Sequence, residues 1–434
     1  MANQVKYDWQ ACVIDGVTAM RVQSLGSTTD FAEEKLLELG NAGSAEIIDT
    51  PSVDITLDTN DWGSTNTMAL LASLYKTAYA AHNGGYKSSL GDNSYYITEN
   101  SFEEAACDIT APVSEDGSVL DRTLYLGYCF VNGISLSYDV GGVASENYTL
   151  ESDFKRWYLN DYMKAIVYTG TYASASSFTV PANLNSGYTG LLVSVNGVVV
   201  SDEYSLSSAI SMTDVANSVV TSATPALSGL ESGDRIRLVA STDSTITMVT
   251  LSSTPSGLGG VRKGFIDVHL SSASVTTAPL STTKSLRIQS VTIDVDLSRE
   301  ELEELGNYRA YLRSVQTPIP ITATITVNDS DMLMWAQLSQ RTFASITELD
   351  IDDFVKTSIL EVKIYKSKTD HTIDTSGADG TSTGSNQLLK VVRLENCSVS
   401  SESHSISVGG IAQQEFSLSA ENFIVSGTGL TPLV

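Results

Sequence analysis

The residues with chemistry to offer are four histidines, four cysteines and one dense run of carboxylates. His82, His269, His371 and His404 lie far apart and show no HExxH or HxH spacing. Each reads as a satisfied or solvent-facing side chain, not as a metal ligand or general base. Cys12, Cys107, Cys129 and Cys397 form no CxxC pair, which excludes the usual zinc spacing and leaves buried free thiols as the expectation. Glu348, Asp350, Asp352 and Asp353 carry hard-cation chemistry, but without the DxDxDG order of a calcium loop they read as a solvated acidic turn. No GxSxG elbow, Walker loop or GxGxxG after a strand is present, and the glycines at 257–260 precede no helical pattern. The sequence therefore predicts no catalytic residue, no metal and no cofactor, and a protein that is not an enzyme.

Charge narrows the partners. The chain has 434 residues and a formal net charge of −26. That balance argues against a nucleic-acid grip, which needs Lys and Arg on phosphates, and against an anionic membrane surface. Acidity of this kind serves solubility, or a surface that must not stick to DNA. The start shows no signal-peptide pattern and no run of 18 apolar residues occurs, so synthesis and assembly in a cytoplasm are expected. The sequons at Asn147, Asn328 and Asn396 are then coincidental.

The elements are organised by a repeat. Arg21 to Asn41, RVQSLGSTTDFAEEKLLELGN, recurs as RIQSVTIDVDLSREELEELGN from Arg287 to Asn307, with ten of twenty-one positions identical. Pro51 to Asp61 matches Pro318 to Asp329, and Val140 to Ser152 matches Val408 to Ala420, in the same order. Such self-similarity implies two copies of one module with an insertion between them. The boundaries read as 1–167, 168–262 and 263–434. Cys12, Cys107 and Cys129 share the first copy, and no cysteine of the second is matched to them.

Within a copy, two strands flank a turn at Asp15-Gly16. A short helix is expected next, with Ser298 as N-cap, Glu301 three residues on and a Leu297/Leu302 staple, or Asp30 with Glu33 in the first copy. Leu36, Leu39, Leu302 and Leu305 would face a core, and Gly40 and Gly306 would end the helices. Val53, Ile55 and Leu57 then alternate with Asp54, Thr56 and Asp58, and Thr322, Thr324 and Thr326 repeat the polar side. Helical runs follow at 68–80 and 332–340, with a long loop from His82 to Asn100 and a low-complexity loop at 375–385.

A late hairpin turns at Gly141-Gly142, and its match at Gly409-Gly410. One face carries Ser135, Ser137, Asp139, Thr149, Glu151 and Asp153; the second copy gives Ser405, Ser407, Glu415, Ser417, Ser419 and Glu421. The opposite face carries Leu136, Tyr138, Val140, Tyr148 and Leu150, matched by Ile406, Val408, Ile411, Phe416 and Leu418. Neither hairpin holds a Lys or Arg between Ser135 and Phe154 or between Ser398 and Ile424. Between the copies, LLVSVNGVVVSDEYSLSS and LSGLESGDRIRLVAST read as strands around an Asn-Gly and a Gly-Asp turn, suggesting a small Ig-like β-sandwich. The fold class is thus mainly β: two homologous sandwich or barrel modules, each with a short α-helix, plus a small inserted sandwich.

The repeated "QS…D…EEL.ELGN" phrase, the alternating strand after it and the "S.S…VGG……F.L" hairpin resemble the tail tube (major tail) protein of tailed phages, over roughly 1–167 and 263–434. The inserted phrase looks like the β-sandwich modules of phage tail and fibre proteins. The resemblance implies hairpins that join neighbours into an inner β-barrel, and rings that stack into a tube conducting DNA into the host. Loops at about 60–100 and 329–345 would bridge rings. Three two-module chains would make a pseudo-hexameric ring, with the twelve polar hairpin residues above lining its lumen. The implied partners are the chain itself, tail terminator and distal tail proteins, and a tape-measure protein and genomic DNA that pass without specific binding. No membrane is involved, and the location is the virion tail, non-contractile by preference. The competing reading is a surface β-protein or adhesin that holds a glycan or receptor through the insert.

Overall fold

The computed structural model describes residues 10–14, 17–19, 21–31, 33–37, 44–48, 52–60, 94–98, 107–113, 122–152, 154–159, 166–171, 189–195, 198–205, 235–241, 265–272, 287–302, 312–328, 333–339, 358–367, 387–406 and 412–427. The protein is mainly β. Chain order gives β1 (Val13–Ile14), β2 (Val17–Thr18), β3 (Val22–Asp30), β4 (Glu33–Leu37), β5 (Ser44–Ile48), β6 (Ser52–Thr59), β7 (Ser94–Thr98) and β8 (Cys107–Val113). Then come β9 (Arg122–Asp139), β10 (Ser145–Ser152), β11 (Phe154–Leu159), β12 (Ile166–Thr171), β13 (Thr189–Val195), β14 (Val198–Ser205) and β15 (Arg235–Ser241). The rest are β16 (Ile266–Ser272), β17 (Ile288–Asp296), β18 (Arg299–Leu302), β19 (Leu312–Val315), β20 (Ile321–Val327), helix α1 (Leu333–Leu338), β21 (Ser358–Ser367), β22 (Gln387–Ser405), β23 (Gln413–Ala420) and β24 (Asn422–Gly427).

One large antiparallel sheet has the path β16-β21-β22-β23-β20-β17-β9-β10-β6-β3. Its strands form because their apolar residues recur at every second position. In β6, Val53, Ile55 and Leu57 are buried while Ser52, Asp54 and Thr56 are exposed. In β20, Ile321, Ala323, Ile325 and Val327 are buried between threonines. Ile55, Leu136, Tyr148, Ile293, Ile325 and Phe416 share one continuous core. A one-residue slip of any of these strands would send its whole apolar set to solvent, so the register is strongly specified.

The strands β9 and β22 each serve two pairings. The first part of β9 pairs with β8 and β11, and its second part with β10. Likewise β22 pairs first with β21 and β24, then with β23. The changeover falls at Tyr128 in one and Asn396 in the other, both with φ near +55° (54° and 56°). A non-glycine residue there needs support, and the Tyr128 N–H donates to Asp108 Oδ1 at 3.1 Å. The helix α1 sits in the run expected at 332–340; Met334, Trp335 and Leu338 are buried, and Trp335 meets Phe416 edge-on at 6.5 Å.

The short helix expected after the repeated phrase is not formed. Glu33–Leu37 and Arg299–Leu302 are strands, paired with Ser44–Ile48 and Leu312–Val315. Ser298 is no N-cap: its N–H and hydroxyl both donate to Asp296 Oδ1, at 3.1 and 2.7 Å. Glu301 stands opposite Arg313 in the ladder and forms an ion pair with it at 2.6 Å. That cross-strand pair and the burial of Leu297 outweigh a helix of a few residues, which is marginal alone. Leu36 and Leu302 thus lie on strands opposite Ala45 and Leu312, while Leu39, Gly40, Leu305 and Gly306 lie outside the described residues.

A second correction concerns the loop read from His82 to Asn100. Ser94–Thr98 within it is a strand, added to the outer edge of β24. Its sequence, SYYIT, is rich in the aromatic and β-branched residues that suit a sheet. The segments on either side of Asp15-Gly16, Val13–Ile14 and Val17–Thr18, are paired antiparallel strands, while residues 15 and 16 lie outside the described residues. Between the two halves, β12, β15, β13 and β14 form a separate four-stranded sheet, with β13 and β14 joined across 196–197. The first of these strands begins at Ile166 and so crosses the boundary read at 167/168. The runs 68–80 and 375–385 and the acidic run 348–353 lie outside the described residues.

Candidate assembly surface

Eight strands, β22-β23-β20-β17-β9-β10-β6-β3, form a continuous stretch of the large sheet with one apolar and one polar face. The polar face is built in rows across the strands. Ser419, Thr322, Asp294, Ser135, Asn147, Asp58 and Ser24 are successive partners in one row. The next holds Ser401, Ser417, Thr324, Thr292, Ser137 and Ser145. No Lys or Arg occurs in 22–30, 52–59, 130–139, 145–152, 288–296, 321–327, 398–405 or 413–420, the segments that make this face.

The hairpin residues singled out from sequence fall into four groups. Ser135, Ser137, Asp139, Thr149, Ser405, Glu415, Ser417 and Ser419 are exposed or half-buried on the polar side of their strands. Glu151 and Glu421 are committed to side-chain contacts within the chain. Glu151 pairs with Arg313 and accepts from Asn132 Nδ2 at 2.6 Å. Glu421 lies at the bend between β23 and β24 and accepts from Asn396 Nδ2 at 2.6 Å. Asp153, Ser407, Gly409 and Gly410 lie outside the described residues. Gly141 and Gly142 are exposed at the hairpin tip, where the Gly141 N–H donates to Asp139, tying off the turn.

Alternation alone assigns Asp54 and Asp58 to a polar side of this face but does not join them to the hairpin residues, and it leaves Asp294 and Asp296 unplaced. Asp54, Asp58, Asp294 and Asp296 contribute its other carboxylates, and Asp58 accepts from both Ser24 and Asn147. Their alternation with buried Val, Ile and Leu was the available signal; what it lacked was the order of strands. Val140 and Ile406, placed on the apolar side by alternation, are in fact exposed at the hairpin ends.

The two halves of this stretch correspond strand by strand. The first half runs β9-β10-β6-β3 and the second β22-β23-β20-β17. Arg21 and Arg287 open β3 and β17 with φ of 53° and 51°, and each accepts a bond from the glutamine two residues on. The bulge between Val22 and Ser24 recurs between Ile288 and Ser290, and that between Thr149 and Leu150 faces the same place as one between Val399 and Ser401. Cys129 and Cys397 follow the two positive-φ residues Tyr128 and Asn396, which corrects the expectation that no residue of the second copy matches a cysteine of the first.

The halves join where β17 pairs with β9, Ser290 opposite Asp139 through Asp296 opposite Gly133. Two further backbone bonds extend the joint, Val140 N–H to Gln289 O at 2.9 Å and Leu297 N–H to Asn132 O at 2.7 Å. The four cysteines are free and buried. Burial pushes the Cys12 and Cys397 thiols up to about 12, and raises Cys129 as well. Burial, and then the nearby Glu146 carboxylate, raise the Tyr138 phenol.

No protein-family model matches this sequence, and no curated protein matches it. Among solved structures, the cryo-EM structure of the anti-feeding prophage cap (AFP tube terminating cap) is similar to 37% of this chain and 93% of that chain, at 14% identity and a TM-score of 0.25. A likeness at that level fixes neither fold nor function for this chain.

Proposed function

We propose that the chain is a structural protein of a tailed-phage virion, made of two copies of one tube module, whose rings stack into the tail tube that conducts DNA. The observation that carries this reading is a polar face whose own strand segments hold no Lys or Arg, backed across eight strands by a single core. Duplex DNA carries a phosphate charge about every 1.7 Å of its axis. A wall of hydroxyls and carboxylates repels those phosphates and keeps its own water, so DNA slides past it; a lysine-lined wall would hold DNA by counterion release. Asp54, Asp139, Asp294, Asp296 and Glu415 are among the exposed charges of this face.

Three chains would place 24 strands in one ring, since each contributes eight. At roughly 4.7 Å between strands and a tilt near 40°, a closed barrel of that size is ~47 Å across its backbone. That leaves room for a duplex with a water layer after side chains are counted. The four-stranded sheet from Ile166 to Ser241 would sit outside the wall, where the chain passes from one copy to the next.

Cryo-EM of the purified protein tests the reading. Three chains around an open channel is the expected result. A monomer that never associates at any salt concentration overturns it, and favours a surface protein that binds a glycan or receptor.

A further inference from the structure

The two ends of the eight-stranded stretch are unlike its interior. Among the described residues β3 pairs only with β6, and Ser401–Ser405 of β22 only with β23. These are the counterparts of the two edges that meet inside the chain. The strand β3 corresponds to β17, and the end of β22 corresponds to the end of β9.

Two large apolar side chains mark the open edges. Phe31, just beyond β3, is 65% exposed, whereas Leu297 at the matching place beyond β17 is 0% exposed. Ile406, just beyond β22, is 75% exposed, whereas Tyr138 at the matching place in β9 is 4% exposed. Each exposed residue is thus the copy of one that the in-chain joint buries. A third edge behaves the same way. The outer edge of β24 is filled by β7, while its counterpart β11 pairs only with β9 among the described residues. On β11, Trp157 is 52% exposed; the matching Val425, opposite Tyr95 of the added strand, is buried.

We propose that chains join by repeating their internal joint: β3 of one chain adds antiparallel to the end of β22 of the next, in the register that β17 and β9 already use. This deepens the tube reading and rests on its self-association. The transferred register sets Gly26 opposite Ser405, Thr28 opposite Ser403 and Asp30 opposite Ser401. It also carries Phe31 and Ile406 to the inner side of the new joint, with Ile406 opposite Leu25, Ser27 opposite His404 and Thr29 opposite Glu402. The contact is head-to-tail, so it propagates until it closes on itself. Backbone ladder bonds supply the attraction, as in any strand addition to a bare edge.

Paired cysteines read the register directly. Thr28→Cys with Ser403→Cys should crosslink chain to chain under mild oxidation, giving a ladder on a non-reducing gel. Within one chain these positions sit at opposite edges of eight strands, up to roughly 34 Å apart, so the crosslink cannot be internal. Thr28→Cys with Ser401→Cys or Ser405→Cys should crosslink at least ~tenfold more slowly, because a two-residue offset moves Cα atoms ~7 Å along the strand. The four native thiols are buried and leave the background low.

Rings or tubes seen by electron microscopy with no Thr28–Ser403 crosslink, or with one of the offset pairs preferred, overturn the register and leave the tube reading standing. Chains that stay monomeric overturn both. Should the cysteine variants misfold, hydrogen exchange on the unmodified protein decides: amides of 22–30 and 401–405 slow on assembly if the joint forms there, and unchanged exchange overturns it.

Discussion

Lys390 donates its Nζ proton to Glu146 across the two halves of the molecule, with 0% and 1% of the two side chains exposed. The Tyr148 hydroxyl donates to the other carboxylate oxygen at 2.6 Å. Residues 244 apart in sequence are thereby held together where neither side chain reaches solvent. Removing one partner of such a pair leaves a charge that cannot be hydrated, a penalty of about 3–5 kcal/mol. Lys390→Met is expected to lower the urea midpoint by that equivalent, and Lys390→Met with Glu146→Leu to recover much of it. A single variant as stable as the parent would show the pair is solvated in solution.

Alkaline pH should loosen the core. The raised thiols of Cys12 and Cys397 stay neutral in the folded chain up to about 12, against 9.0 for the ordinary thiol. A group whose folded pKa is raised gives stability that is complete below the unfolded value and lost as pH climbs through the folded one. Each thiol should therefore cost about 1.4 kcal/mol per pH unit between those limits. Denaturation midpoints at pH 8, 10 and 11 check this; Cys12→Ala with Cys397→Ala should flatten the decline by the share of both groups.

Reversing charge on the polar face should act on DNA and not on folding. Asp54→Lys, Asp294→Lys and Glu415→Lys change exposed positions, so stability should move by less than ~0.5 kcal/mol each. Particles carrying all three should assemble and eject DNA more slowly, and the delay should shrink with added salt as screening grows. Ejection at the parental rate would remove these side chains from the channel. Glu151 is a poorer choice for this purpose, because a lysine there would face Arg313.

The same substitution at matching places should have opposite consequences. Ile406→Lys should leave the melting temperature of the chain unchanged, since Ile406 is exposed, yet abolish association. Tyr138→Lys should destabilise the chain by about 3 kcal/mol, because it puts a flexible charged chain at a core position opposite Val291, next to a Glu146 already paired with Lys390. Calorimetry and sedimentation together separate the two effects. Association unaffected by Ile406→Lys would place the contact elsewhere.

Much of the fold was legible because period-two alternation is a local signal. Val53, Ile55 and Leu57 against Asp54, Thr56 and Asp58 could be assigned to two faces from the residues alone, and the faces are as read. The failures come from non-local pairing. Ser298 and Glu301 have the spacing of a helix start, yet Asp296 and Arg313 use those groups in a hairpin. Glu151 has the look of a solvent-facing carboxylate, but Arg313 reaches it from 162 residues away. The carboxylates Asp294 and Asp296 belong to the same face as Ser135 only because β17 lies beside β9, which no local pattern announces.

The ladder between β17 and β9 also has an arithmetic consequence. A closed ring built by repeating it can hold only an even number of four-strand units, because they enter two at a time on one chain. Rings of five or seven units are forbidden by covalent connectivity, whatever the curvature of the sheet prefers. Alternate seams of such a ring would then be free to diverge: one, with Leu297 and Tyr138, would be formed within each chain, and the other, with Phe31 and Ile406, would be open to tuning for reversibility during assembly.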